Sequence, residues 1–230
     1  MAFRFTTKFT LIFLILLIFS AMYITKRTFA ASWWAGNMRS NAYGVEAKIW
    51  TPANLLPQTI GQSNWVSIPP PFWLQTGWLF QPGDYIPTSY YEWCIAPCSP
   101  DDNIHNDKKL QLLSSHTWNT FKKYKVEYAS GEIWCAYVND VFQDCAVVSS
   151  APNTVEALSE THHPNNELDT LFSEVKYKME TPNGNYWYYF DQDAWFEAFP
   201  ILRVEKDLPY SQSSYHVVNT YPVFLPLTIK

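Results

Sequence analysis

Three short runs constrain this chain more than any other feature: Trp65-Val66-Ser67-Ile68, Trp73-Leu74-Gln75-Thr76-Gly77-Trp78 and Tyr90-Tyr91-Glu92-Trp93. Each is rich in the aromatic and β-branched residues that favour strands, and turn-forming residues separate them. A chain built this way folds by stacking strands. Yet a glutamine and a carboxylate stand among the rings. An amide buried without a partner costs roughly 1–3 kcal/mol, so Gln75 must bond either a neighbouring loop or a bound molecule. The pattern alone favours the structural bond.

The same texture continues downstream. Strand-like runs cover Tyr43–Thr51, Asn64–Ile68, Phe72–Phe80, Ser89–Ala96, Thr117–Tyr128, Glu132–Val138, Val141–Ser149, Leu171–Lys178 and Val217–Leu225. Residues Asn103–Leu113 read as a short helix or a loop, Val155–Glu160 as a strand or a helical turn, and Asp191–Phe199 has a mixed pattern. Sixteen prolines against seven glycines suit rigid turns. Many short strands with Pro-rich turns predict an all-β antiparallel β-sandwich of two packed sheets in one domain spanning residues 32–230.

Residues 1–31 read as a signal peptide or an uncleaved N-terminal anchor. Arg4 and Lys8 precede an apolar run of about 16 residues, shorter than the ~20 that span a bilayer, and small residues follow. The expected location of the domain is therefore secreted, or anchored outside the membrane. The segment carries four of the 16 basic residues and no acidic ones, which leaves 12 against 21 and a formal charge of −9. That excess argues against nucleic acid or an anionic membrane surface as partner, beyond whatever the N-terminal segment itself contacts. A monomer is expected.

Four cysteines, Cys94, Cys98, Cys135 and Cys145, suggest two disulfides in an exported chain. Three pairings are possible. Local pairing is preferred, with Cys94–Cys98 pinning a loop and Cys135–Cys145 stapling a hairpin that turns near Asn139-Asp140. Zinc is disfavoured because paired C-x-x-C knuckles are absent, and adjacent His162 and His163 would point to opposite faces of a strand. No Gly-x-Ser-x-Gly or His-Glu-x-x-His motif occurs.

Glu160 closes the segment Val155-Glu156-Ala157-Leu158-Ser159-Glu160; on a strand it points the same way as Glu156. A solvated loop acid is the plain reading. Taken with the earlier runs, however, the segment resembles the glutamic peptidases of the eqolisin family. The matching pieces are Trp65-Val66-x-Ile68, Leu74-Gln75-Thr76-Gly77, Tyr91-Glu92-Trp93, this Glu-containing segment, and Phe172-Ser173-Glu174-Val175-Lys176-Tyr177, together covering about residues 63–98 and 153–178. Neprosin-type peptidases are similar more loosely.

The resemblance implies a sandwich with a substrate groove on one sheet. It implies catalysis by Gln75 and Glu160, with Trp65, Trp73, Thr76 and Glu92 in substrate binding. The implied reaction is acid-acting endoproteolysis of protein or peptide substrates: a carboxylate activates water and the glutamine amide donates to the oxyanion, with no metal or cofactor. Leu79 and Pro69 stand where the family carries aspartates, and Ala157 replaces an aromatic, so the groove differs from the family's own. The alternative is a non-catalytic sandwich that binds carbohydrate or peptide. Its best support is the run Tyr186-Trp187-Tyr188-Tyr189-Phe190, which reads more simply as a core strand.

Overall fold

The computed structural model describes residues 33–52, 62–69, 72–81, 83–95, 108–161, 169–190, 195–197, 202–206 and 214–219. The expected targeting segment, Cys98 and the His162-His163 pair lie outside them. All described residues fall within one unit, Ser32–Lys230, and none of them is helical.

The described residues form fifteen strands in two sheets. The first contains β13 (Trp195–Glu197), β1 (Trp33–Ala42), β10 (Asn153–Thr161), β3 (Gln62–Ile68), β4 (Trp73–Phe80), β5 (Thr88–Cys94) and β6 (Lys108–Ser115), in that spatial order. The second runs β14 (Leu202–Lys206), β15 (Tyr215–Asn219), β11 (Asp169–Thr181), β2 (Gly44–Thr51), β7 (Thr120–Ser130), β8 (Ile133–Val138) and β9 (Val141–Val147), with β12 (Gly184–Tyr189) paired to β11. Every pairing is antiparallel. The architecture is the expected β-sandwich, with the core between the sheets.

Alternation decides which residues fill that core. From the first sheet, Val66, Ile68, Leu74, Trp78, Phe80, Tyr91, Val155 and Ala157 turn inward. From the second, Val45, Ala47, Ile49, Tyr124, Val126, Trp134, Phe172 and Tyr215 meet them. Full burial of the Val, Leu, Ile and Phe side chains among them contributes roughly 1.5–3 kcal/mol each. Polar ties cross the same space: the Tyr215 hydroxyl donates to the Ala157 carbonyl at 2.5 Å, and Ser89 Oγ lies 2.9 Å from Tyr124 Oη. At one margin Asp144 of β9 accepts from Lys109 Nζ (2.7 Å) and Trp93 Nε1 (3.3 Å) of the other sheet.

Several sequence expectations resolve or change. Val155–Glu160 is a strand, within β10. Lys108–Ser115 is an edge strand, so the described part of Asn103–Leu113 is neither helix nor loop; its alternation is obscured because edge exposure spares Leu110 and Leu112 from burial. The aromatic run Tyr186–Phe190 reaches the core only at its end, where Phe190 is buried: β12 pairs with β11 alone, at the sheet margin, leaving Tyr186, Tyr188 and Tyr189 each more than 40% exposed. Strand β1 had no sequence signal, because Gly36, Asn37 and Arg39 break its apolar period.

The Cys135–Cys145 disulfide is formed. Its hairpin turns at Asn139 and Asp140, both with positive φ (50° and 63°), a conformation these residue types tolerate. Cys94 is also disulfide-bonded.

Candidate active site

Residues opposite each other in antiparallel strands share a face. The register of four neighbouring strands therefore sets Glu156 of β10, Ser67 of β3, Gln75 of β4 and Glu92 of β5 in one transverse row, on the face of the first sheet turned away from the core. A second row, two residues along, reads Leu158, Trp65, Gly77 and Tyr90; a third reads Glu160, Ser63, Leu79 and Thr88. A polar row thus runs beside an apolar, aromatic one.

Gly77 makes the spacing possible. A Cβ there would come within 1.8 Å of the Asn64 carbonyl oxygen and 2.7 Å of the Trp65 Cα. The close approach at this glycine is made by the backbone of the adjacent strand. It also leaves Trp65 and Tyr90, 7% and 1% exposed, as neighbours across a position without a side chain.

Hydrogen bonds connect the polar row in two halves. On one side Trp65 Nε1 donates to Ser67 Oγ (3.2 Å), which donates to Glu156 Oε2 (3.2 Å). On the other, Gln75 Nε2 donates to Glu92 Oε2 (2.7 Å), and Lys108 Nζ lies 3.0 Å from Glu92 Oε1. The electrostatics differ between the halves. Burial pushes the Glu156 carboxyl from an ordinary 4.5 up to about 7, and the single hydroxyl of Ser67 only partly offsets this. Glu92 has a cation and an amide donor instead. Between Glu92 and Glu160, the Tyr90 hydroxyl is held well above its ordinary range by burial and then by those two charges.

Of the residues singled out in the sequence, the fold brings Gln75, Trp65 and Glu92 onto one face, with Trp73 opposite Cys94 beyond them and its ring 5.9 Å from Lys108 Nζ. Thr76 points the other way: it is fully buried in the core and its hydroxyl donates to the Tyr90 carbonyl at 2.8 Å. Glu160 shares the face but not the row. It lies four residues along β10 from Glu156, about 13 Å at the usual strand rise, and pairs with Ser63, whose Oγ is 3.5 Å from its Oε2. The carboxylate in register with Gln75 is Glu156. The family resemblance falls on Glu160; both glutamates occupy one face of the strand, and only the pairing register separates them.

Glu156 and Gln75 are two strands apart, about 10 Å between backbones. Ser67 stands between them in the row, and all three side chains share the outward face. Glu92 and Glu156 are three strands apart in the same row, about 14 Å between backbones. Among the described residues no group of three or more His, Cys, Asp or Glu side chains could hold a metal ion.

The two-sheet sandwich has the fold of the eqolisin glutamic peptidases. Scytalido-glutamic peptidase, solved with a transition state analog inhibitor, is similar over 82% of this chain and 98% of its own, at 13% identity and a TM-score of 0.55. Its complex with a peptide-based transition state analog gives 0.53 at the same identity and coverage. SCP-B, an eqolisin solved with the tripeptide Ala-Ile-His, gives 0.52, again at 13% identity over 82% and 98% of the two chains. At this identity it is the fold that is shared. No family model matches the sequence, and no curated protein matches it.

Proposed function

We propose that this protein is an exported peptidase in which Glu156 is the general base and Gln75 the oxyanion donor. The single observation that carries this reading is the common row of Glu156, Ser67 and Gln75, with one carboxyl raised by burial and one amide beside it. In the reaction Glu156 takes a proton from water as the oxygen attacks the scissile carbonyl carbon. The second N–H of Gln75, not engaged by Glu92, donates to the oxyanion. Collapse breaks the C–N bond, and protonated Glu156 returns its proton to the departing nitrogen, giving an amine and a carboxylic acid. One oxyanion donor is worth about 3–4 kcal/mol of barrier and a positioned base a factor of about 10²–10⁴. The peptide ligands of the structurally similar eqolisins support a protein or peptide substrate. The disulfides suit a location outside the cytoplasm.

This assignment changes the expected pH range. A base must be ionised to act, and Glu156 loses its proton only near pH 7. Turnover on this reading falls as the pH drops below about 7, so the optimum lies near neutrality and not in strong acid. The test is cleavage of a denatured protein by purified protein from pH 2 to 9, with and without a chelator. Chelator-resistant turnover that Gln75→Ala lowers by about 10²–10³-fold supports the proposal. Absence of turnover at every pH overturns it.

The exposed tyrosines of β12 favour a second reading, a carbohydrate-binding sandwich. That reading requires saccharide binding that Gln75→Ala leaves unchanged.

A further inference from the structure

Glu92 reads from sequence as a substrate contact, yet both of its oxygens are already engaged within the sheet. Oε2 accepts from Gln75 Nε2 at 2.7 Å and Oε1 faces Lys108 Nζ at 3.0 Å. The two charged side chains are only 18% and 13% exposed, and the ammonium also lies 5.9 Å from the Trp73 ring centre. The members come from three neighbouring strands: Trp73 and Gln75 from β4, Glu92 from β5, Lys108 from the edge strand β6.

A primary amide has two chemically opposite edges. Oxyanion stabilisation uses only the N–H edge; a flipped glutamine would aim its carbonyl oxygen at the developing negative charge. An ionised carboxylate accepts hydrogen bonds and cannot donate. Beside such a group Gln75 must present nitrogen, which leaves its second N–H free to point at the reacting centre. We propose that Glu92, held by Lys108, is a positioning residue that fixes the orientation of the Gln75 amide, and does not itself contact substrate. This inference rests on the reading of Gln75 as oxyanion donor. It adds that Lys108, which belongs to no motif of the sequence, is part of the machinery.

The experiment measures kcat and KM on one peptide substrate for Glu92→Gln, Glu92→Asp and Lys108→Met. It is joined by NMR of the Gln75 side-chain amide in the ¹⁵N-labelled protein. A hydrogen bond to a charged group is worth about 1.5–3 kcal/mol, so Glu92→Gln should lower kcat by about 10–100-fold with KM within about twofold. Glu92→Asp should recover part of the loss, and Lys108→Met should lower kcat by less than Glu92→Gln. The two Gln75 amide protons should be separate and exchange-protected in the wild-type protein and lose protection in Glu92→Gln. A rise in KM with kcat retained would assign Glu92 to substrate binding and overturn the inference, as would Gln75 amide signals that Glu92→Gln leaves unchanged. Should the wild-type protein lack turnover, the proposed function fails on its own account. The amide signals then decide the clamp alone: loss of protection in Glu92→Gln upholds it, and unchanged signals overturn it.

Discussion

The outward face of the second sheet and the Glu156 side of the first treat glutamates in opposite ways. On the second sheet each buried or half-buried glutamate is matched by lysines. Glu46 lies between Lys123 (3.1 Å) and Lys176 (3.4 Å), and Glu127 between Lys125 (2.8 Å) and Lys178 (2.5 Å). Lys125 and Lys176 also pack over the rings of Tyr137 and Tyr189. On the first sheet Glu156 receives one serine hydroxyl and stays close to half-protonated at neutral pH. Glu127 and Glu156 both lose hydration, and burial alone would raise both of those carboxyls. At Glu127 two lysines outweigh burial and hold the carboxyl below its ordinary value; at Glu156 nothing comparable does. A paired lattice is what structure needs. A desolvated carboxyl left without a cation, in line with an amide, is what proton transfer needs.

This contrast can be broken in graded ways. The largest expected effect on folding is at Gly77. Alanine there drives a methyl into the neighbouring backbone at 1.8 Å, whereas alanine at Gly44 on the second sheet meets the Trp187 ring and the Val126 carbonyl at 3.1 Å. Gly77→Ala should cost about 3 kcal/mol or more by chemical denaturation, since its obstacle is a backbone that cannot turn aside, and Gly44→Ala clearly less. Equal costs would deny that the site sheet is the more tightly spaced.

Next is the sign of the pH dependence. With a folded value of about 7 against an ordinary 4.5, Glu156 keeps its proton in the folded state across that window while the unfolded chain loses it. Stability from this group therefore falls as pH rises from about 4.5 to 7. Glu156→Gln should stabilise the protein by about 2 kcal/mol at pH 8 and have little effect at pH 4.

Glu127 behaves inversely and more weakly. Its lowered carboxyl contributes stability that is complete above pH 4.5 and fades as the pH falls through the folded value. Glu127→Gln should cost about 1 kcal/mol at pH 7 and almost nothing near pH 2, with activity within twofold of wild type. A stabilising Glu127→Gln, or a destabilising Glu156→Gln at pH 8, would erase the distinction between the faces.

Much of the fold was legible in the sequence, for reasons these faces make plain. Strands β3, β4 and β5 declare themselves through alternation about a buried face, and β8 and β9 through a turn that wants Asn-Asp. The Cys135–Cys145 pair follows from that hairpin. Gln75 stood out because an amide among rings demands a partner. What stayed hidden depends on contacts between distant segments. Whether Glu156 or Glu160 faces Gln75 is a matter of how β10 registers on β3, some ninety residues away in the chain. Lys108 could not be found at all, because an edge strand with half-exposed leucines carries too little alternation to be recognised. Thr76 follows from a rule already visible in the sequence: its neighbours alternate, and a residue adjacent to Gln75 on a strand must face the other way.

The central claim is that Glu156, and not Glu160, works with Gln75. Its direct test is the pH dependence of kcat/KM on one peptide substrate for wild type, Glu156→Gln and Glu160→Gln. The account predicts a wild-type profile that falls below pH about 7, a loss of at least about 10²-fold in Glu156→Gln, and a Glu160→Gln variant that keeps both rate and profile within a few-fold. Abolished turnover in Glu160→Gln with Glu156→Gln left active would contradict it.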